Sequence, residues 1–237
     1  MPSLSSDQLT RYARHLSLPG FGLEGQQKLA ESSVLIIGAG GLGSPIALYL
    51  SAAGVGHITI ADGDCVDLTN LQRQIIHSTA DIGRPKAISA AESMTAVNPT
   101  VEIEPIARFL SEDEMLRIFP RFDFIIEATD SLETKFIVDR VCHRLQKPYN
   151  HGAIFRYEGQ TMTIIPGSTR FADLFPDGPE AVSRSKTAGP LGVVPGVLGS
   201  LQAAEAIKYL TGSGRLLTDR LLRFDLLTME FTTIDLR

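Results

Sequence analysis

The chain has 237 residues, 43% of them hydrophobic and 21% charged, a composition that buries a substantial core and excludes global disorder. Its formal net charge of −5, with acids and bases interleaved, excludes the basic face of a nucleic-acid binder. Cys65 and Cys142 are the only cysteines, too few for a disulfide framework or a four-cysteine structural zinc site.

The polar opening, Met1 to Asp7, has no leader pattern, and the longest apolar runs are strand-sized or broken by Gly and Pro. A cytoplasmic protein with no membrane span is expected. Residues 6–15 read as a short helix with Ser5, Ser6 and Asp7 as available caps. A second helix over 23–31 leads into the branched run 34–37, a buried parallel strand because glycines follow at once. Residues 46–53 read as a helix closed by Gly54, and 57–61 as the second strand. Helix 85–97, strands 101–107 and 122–128, helix 132–146 and strand 149–154 continue the alternation.

Such alternation predicts an α/β, Rossmann-like, mostly parallel sheet with helices on both faces. The last third changes character: a strand at 158–165, a loop at 167–190, a helix at 199–210, and a hairpin from 221–226 and 230–236. One domain over 1–237 is expected, with a nucleotide-binding part at about 30–155 and an antiparallel part at about 156–237. The loop 167–190 exceeds ordinary length, so it is functional or mobile.

Gly38, Gly40 and Gly43 fit G-x-G-x-x-G between a strand and a helix. Such glycines let the backbone approach a phosphate, and the helix N-terminus offers N–H donors. Asp62 ends the second strand, at the spacing where an acid meets ribose hydroxyls. These features indicate an adenine nucleotide and leave NAD, FAD and ATP open.

The following cations favour ATP. Asn70-Leu71-Gln72-Arg73-Gln74 and then Lys86 come after Asp62. A dehydrogenase never cleaves its diphosphate, whereas an adenylyltransferase must neutralise a triphosphate and its departing pyrophosphate. Arg73 can fork onto two phosphate oxygens, and Lys86 adds a mobile point charge. Asp130 follows a buried strand, where a carboxylate suits a Mg²⁺ bridged to phosphates; it also fits as the cap of the next helix. No base is needed, since a C-terminal carboxylate with a pKa of about 3.5 is already ionised at neutral pH.

Arg11-Tyr12-Ala13-Arg14-His15, the runs 34–45 and 51–62, Asn70 to Gln74, Asp81 to Lys86, Thr129-Asp130 and the run 196–208 together resemble the MoeB/ThiF/HesA family. These are bacterial relatives of ubiquitin-activating enzymes. The resemblance implies adenylation of the terminal glycine of a small ubiquitin-like sulfur-carrier protein ending in Gly-Gly, before thiocarboxylate formation. It implies that Gly38, Gly40, Gly41, Leu42 and Gly43 contact ATP and that Asp62 holds the ribose. Asn70, Arg73 and Lys86 would contact the phosphates, Asp130 would bind Mg²⁺, and Leu71, Gln72 and Ser131 would belong to the same nucleotide site. It further implies a homodimer in which Arg14 reaches the neighbouring subunit's site, and an antiparallel region that docks the carrier.

The chain departs from the family in three places. The two Cys-x-x-Cys pairs of a structural zinc are missing, so packing, including the closing hairpin, is expected to replace that clamp. Ser185 stands where a loop cysteine commonly precedes Thr-Ala-Gly, and Ser131 where Asn often follows the Asp. A serine forms no persulfide or acyl disulfide, so no covalent sulfur intermediate is expected on this loop. The chain ends soon after its final hairpin, so the sulfur donor is expected to be a separate protein. Alternatives are adenylation of a small-molecule or peptide carboxylate, a non-catalytic nucleotide or ubiquitin-fold binder and, more distantly, a dehydrogenase.

Overall fold

A computed structural model of the chain describes residues 4–175 and 189–237. Five strands pair in parallel: β1 (Ser33–Ile37), β2 (His57–Ala61), β3 (Glu102–Ile106), β4 (Phe124–Glu127) and β5 (Tyr149–Phe155). The sheet then turns antiparallel through β6 (Glu158–Ile164), β7 (Arg220–Asp225) and β8 (Glu230–Asp235). Its eight strands run in the order β3-β2-β1-β4-β5-β6-β7-β8. The order reverses between β1 and β4, and ligands of open α/β sheets bind at such a switch point, beyond the strand C-termini.

Alternation along β1 sorts the core into two layers. Val34 and Ile36 face α3 (Gly22–Glu31), α4 (Gly43–Ala53), α5 (Lys86–Val97) and α8 (Val193–Thr211). Leu35 and Ile37 face α6 (Glu112–Ile118) and α7 (Leu132–Leu145). The fold class expected from the sequence is the one observed. Among the described residues no helix is long and apolar enough to cross a membrane.

Several boundaries differ from expectation for local reasons. The first helix divides into α1 (Ser6–Arg11) and α2 (Ala13–Leu16) at Tyr12, whose buried hydroxyl accepts from Asn98 Nδ2 at 2.8 Å. Helix α6 was not expected, although Ser111 and Glu114 form a reciprocal capping box at its start. Helix α8 begins at Val193, because Pro195 falls in its first turn, where a missing N–H costs little. Ser185 and its neighbours lie outside the described residues.

The segment where one of the absent cysteine pairs would fall is held by both apolar and polar contacts. Phe171 is buried against Phe136 and His151, and polar bonds secure the same segment. Asp219 accepts from Thr169 N and Oγ1 at 2.7 and 2.8 Å and pairs with Arg237 at 3.1 Å, while Arg170 pairs with buried Asp139 at 2.6 Å.

Candidate active site

The loop after β1 turns at Gly38, whose φ of +107° disfavours any L side chain. A Cβ there would lie 2.7 Å from Ala128 O, and one on Gly43 would lie 2.0 Å from Gly38 O. The protein's own chain crossing therefore requires both glycines. Gly40 differs: a Cβ would meet only Gln74 Nε2 at 3.6 Å, an ordinary contact. The open space above Gly40 is what a closely approaching ligand needs. Leu42 precedes α4 with no side-chain cap; Ser44 N donates to Gly40 O at 2.9 Å and Pro45 has no N–H, so it is the positive dipole end of α4 and the loop amides before it that face that space.

Asp62 supports the same loop from β2. Its Oδ2 accepts from Ala39 N at 2.7 Å and its Oδ1 from Asp64 N at 2.8 Å. Each oxygen keeps acceptor capacity for a hydroxyl. His77, which sequence reasoning missed, braces the loop from below: Nε2 donates to Ala39 O at 2.9 Å and Nδ1 accepts from Ser89 Oγ at 2.8 Å.

The cations stand on the next segment. Asn70 closes a 3₁₀ turn, its Oδ1 accepting from Asp67 N at 3.2 Å. Leu71 is half-buried, and the carbonyl of exposed Gln72 abuts Gly192 ahead of α8. Arg73 Nη1 donates to Thr69 O at 3.1 Å, and its stem passes Gly41, where a Cβ would lie 3.5 Å from Arg73 Cγ. Lys86 corrects an expectation, because it is no mobile charge. Its side chain is only 7% exposed and its Nζ is held 3.0 Å from Asp64 Oδ2.

Asp130 lies past the end of β4, exposed and without a hydrogen bond or ion pair among the described residues. It is not the helix cap, because Ser131 Oγ accepts from Thr134 N at 3.2 Å and caps α7 instead. Among the described residues no cluster of three or more His, Cys, Asp or Glu could hold a metal. A lone carboxylate still suits Mg²⁺, which takes one or two carboxylates and completes its shell with phosphate oxygens and water. Contacts thus link the glycine loop to Asp62, Arg73 and the Ala128–Asp130 strip, and Asp62 through Asp64 to Lys86. Arg14 is exposed on α2, outside this group.

Beneath Asp130 lies a buried polar cluster that sequence reasoning also missed. Glu127 Oε2 sits 2.8 Å from Lys135 Nζ and 3.0 Å from His151 Nδ1, and Glu127 and His151 are almost fully enclosed. Burial alone would raise the Glu127 carboxyl, but the Lys135 ammonium and the His151 hydrogen bond outweigh it and hold it at about 2. The available signal was an acid ending the apolar run Phe124-Ile125-Ile126. Cys142 is buried and its thiol is pushed up by that burial, which makes it inert; Cys65 is exposed.

Burial pushes both His77 and His151 below the ordinary histidine value of 6.5. The unfolded chain therefore takes up these protons first, and stability is lost as pH falls below about 6.5, by up to about 1.4 kcal/mol per pH unit for each histidine. The melting temperature should drop between about pH 7 and pH 5, and the drop should be shallower in His77→Gln. Equal slopes in the variant and wild type would remove His77 from this account.

A sequence profile described as the ThiF family matches residues 12–237. The chain belongs to the ThiF family. Curated relatives include adenylyltransferase and sulfurtransferase MOCS3-1 of Zea mays, 46% identical over 238 residues, covering 99% of this chain and 51% of that one. SAMP-activating enzyme E1 of Haloferax volcanii is 40% identical over 237 residues, covering 99% and 88%. The sulfur carrier protein adenylyltransferase of Thermus thermophilus is 38% identical over 241 residues, covering 98% and 89%. This ThiF-family chain therefore spans about half the length of the maize relative and most of the other two.

Among solved structures, the microcin C7 biosynthetic enzyme MccB in complex with N-formylated MccA superposes with a TM-score of 0.85 at 21% identity, covering 98% of this chain and 74% of that one. E. coli MccB with ATP gives 0.83 at 23% identity, covering 95% and 71%. At these identities the likeness is one of fold.

Proposed function

We propose that this chain is a Mg²⁺- and ATP-dependent adenylyltransferase acting on the C-terminal glycine carboxylate of a small ubiquitin-like sulfur carrier ending in Gly-Gly. The observation that carries it is the meeting of the open glycine loop with Arg73, Lys86 and Asp130 at the sheet's switch point. The names borne by the archaeal and Thermus relatives support the carrier as substrate.

In this reading the loop amides and the α4 N-terminus receive phosphate oxygens, and Asp62 receives the ribose hydroxyls. The carrier carboxylate, already ionised, attacks the α-phosphate; the P–O bond to the β-phosphate breaks and pyrophosphate leaves. Arg73 and Lys86 stabilise charge on the phosphates as that bond breaks. Mg²⁺, when bound by Asp130 together with phosphate oxygens, supplies further charge neutralisation. Alignment of two anions is the main task, so the site needs no proton acceptor.

The antiparallel strands supply the docking face. Strands β5 and β7 end, and β6 and β8 begin, at the same sheet edge as the C-termini of β1 to β4. Exposed Phe155, Tyr157, Leu227, Met229 and Phe231 gather at that edge, an apolar group that fits a protein partner better than water. Two further parts of the reading are a homodimer in which Arg14 enters the partner's site and a sulfur donor on a separate protein. Arg14 supports the first by being exposed, with no side-chain bond among the described residues.

ATP–pyrophosphate exchange tests the reading. Exchange is expected only with Mg²⁺ and with a carrier whose Gly-Gly end is intact. Exchange that survives deletion of the two glycines, or that is driven by a small carboxylate alone, would reject the carrier as substrate.

A further inference from the structure

Asp130 stands one residue beyond Thr129, and the Thr129 peptide is gripped from both sides by buried charges. Glu127 Oε1 accepts from Thr129 N at 2.8 Å and from Thr129 Oγ1 at 2.7 Å. Lys135 Nζ donates to Thr129 O at 2.7 Å. Of its two other N–H groups, one reaches Gly152 O at 2.7 Å and one is shared between the Glu127 oxygens at 2.9 and 2.8 Å, so β4, α7 and β5 meet on one nitrogen. Gln202 on α8 adds a bond from Nε2 to Glu127 O at 3.1 Å. One residue earlier, Ala128 N donates to Ile37 O at 2.9 Å, and Ala128 O closes against Gly38.

The strip joining the glycine loop to Asp130 is thus fixed at every peptide, while the Asp130 carboxylate itself has no partner among the described residues. From this we infer that Glu127 and Lys135 are positioning residues: they fix the Asp130 carboxylate relative to the glycine loop, and so set the strength with which metal-bound ATP is held. The inference rests on the proposed role of Asp130. A buried ion pair is weak evidence for stability by itself, whereas groups that orient a metal-binding carboxylate typically change metal affinity about 10–100-fold when removed. A purely structural pair would change ATP binding with and without metal alike.

The test uses the full chain with ATP alone, so that no turnover intervenes. Calorimetric titrations in MgCl₂ and in EDTA give the factor by which metal tightens ATP binding. In wild type the factor is well above one, and in Asp130→Ala it is lost. In Lys135→Met it should fall about tenfold or more, with affinity in EDTA changed less than about threefold. Lys135→Arg, which keeps the charge, should recover part of it.

Should Lys135→Met not fold, Thr129→Val carries the test, since it keeps the ion pair and deletes only the hydroxyl bond to Glu127; it should lower the factor about threefold. A folded Lys135→Met that keeps the wild-type factor overturns the inference, as does an unchanged Thr129→Val where only that variant folds. A factor that survives Asp130→Ala, or that is absent from wild type, overturns the proposed role of Asp130 instead, and the inference falls with it.

Discussion

Lys86→Ala should lower the rate of carrier-dependent ATP–pyrophosphate exchange by about 10²–10³-fold, the usual loss for one preorganised charge-stabilising group. Two structural facts place it at the strong end. The side chain is 7% exposed, so its charge acts in a poorly screened setting, and Asp64 fixes the ammonium before ATP arrives. Asp64 is itself mostly exposed, so removing Lys86 leaves a carboxylate that water can solvate, and stability should change little. The measurement is the exchange rate at saturating ATP, with the melting temperature as control. A rate within about threefold of wild type in a folded Lys86→Ala protein would reduce Lys86 to a partner of Asp64.

Glu127→Ala should cost about 3–5 kcal/mol of stability, because it strands the Lys135 ammonium in the protein interior. Three carboxylate and carbonyl acceptors now surround that nitrogen besides Glu127 Oε1, and the two carbonyls left after truncation cannot neutralise its charge. For a chain of this length each kcal/mol moves the melting temperature about 2–4 °C, so the shift is large enough to measure directly. The double variant Glu127→Leu/Lys135→Met removes both charges and should recover most of the loss. A double variant no more stable than Glu127→Ala would show that hydrogen bonds to Thr129, and not an unpaired charge, carry the cost. Urea midpoints of the variants and wild type decide between these outcomes.

The parallel half of the sheet was legible because its strands are short branched runs closed by glycine or acid, and because helices alternate with them at helix-sized spacing. Gly38, Asp62, Arg73, Lys86 and Asp130 were legible as types at positions, but not in their states. Nothing local to Lys86 says that Asp64 will hold it, since that contact depends on a bridge between Cys65 and Pro85 closing the loop. Glu127 showed only as an acid ending an apolar run, and its partners Lys135 and His151 were invisible for a related reason: the three come from two strands and a helix, and only the fold brings them together. Helix α6 was the avoidable omission, for its capping box lies within four consecutive residues.

The exposed apolar group at the hairpin tips and the glycine loop belong to one continuous hydrogen-bonded sheet, so the path between them has a set length. A carrier seated on the hairpin tips would have to cover it with an extended tail, at about 3.3–3.6 Å per residue. Attack needs the carboxylate within about 3–3.5 Å of phosphorus, a tolerance no larger than one residue of tail. The sheet would then act as a ruler. Two carriers with identical folded bodies but tails differing by a single glycine would be told apart by length alone, with no side chain recognised at all.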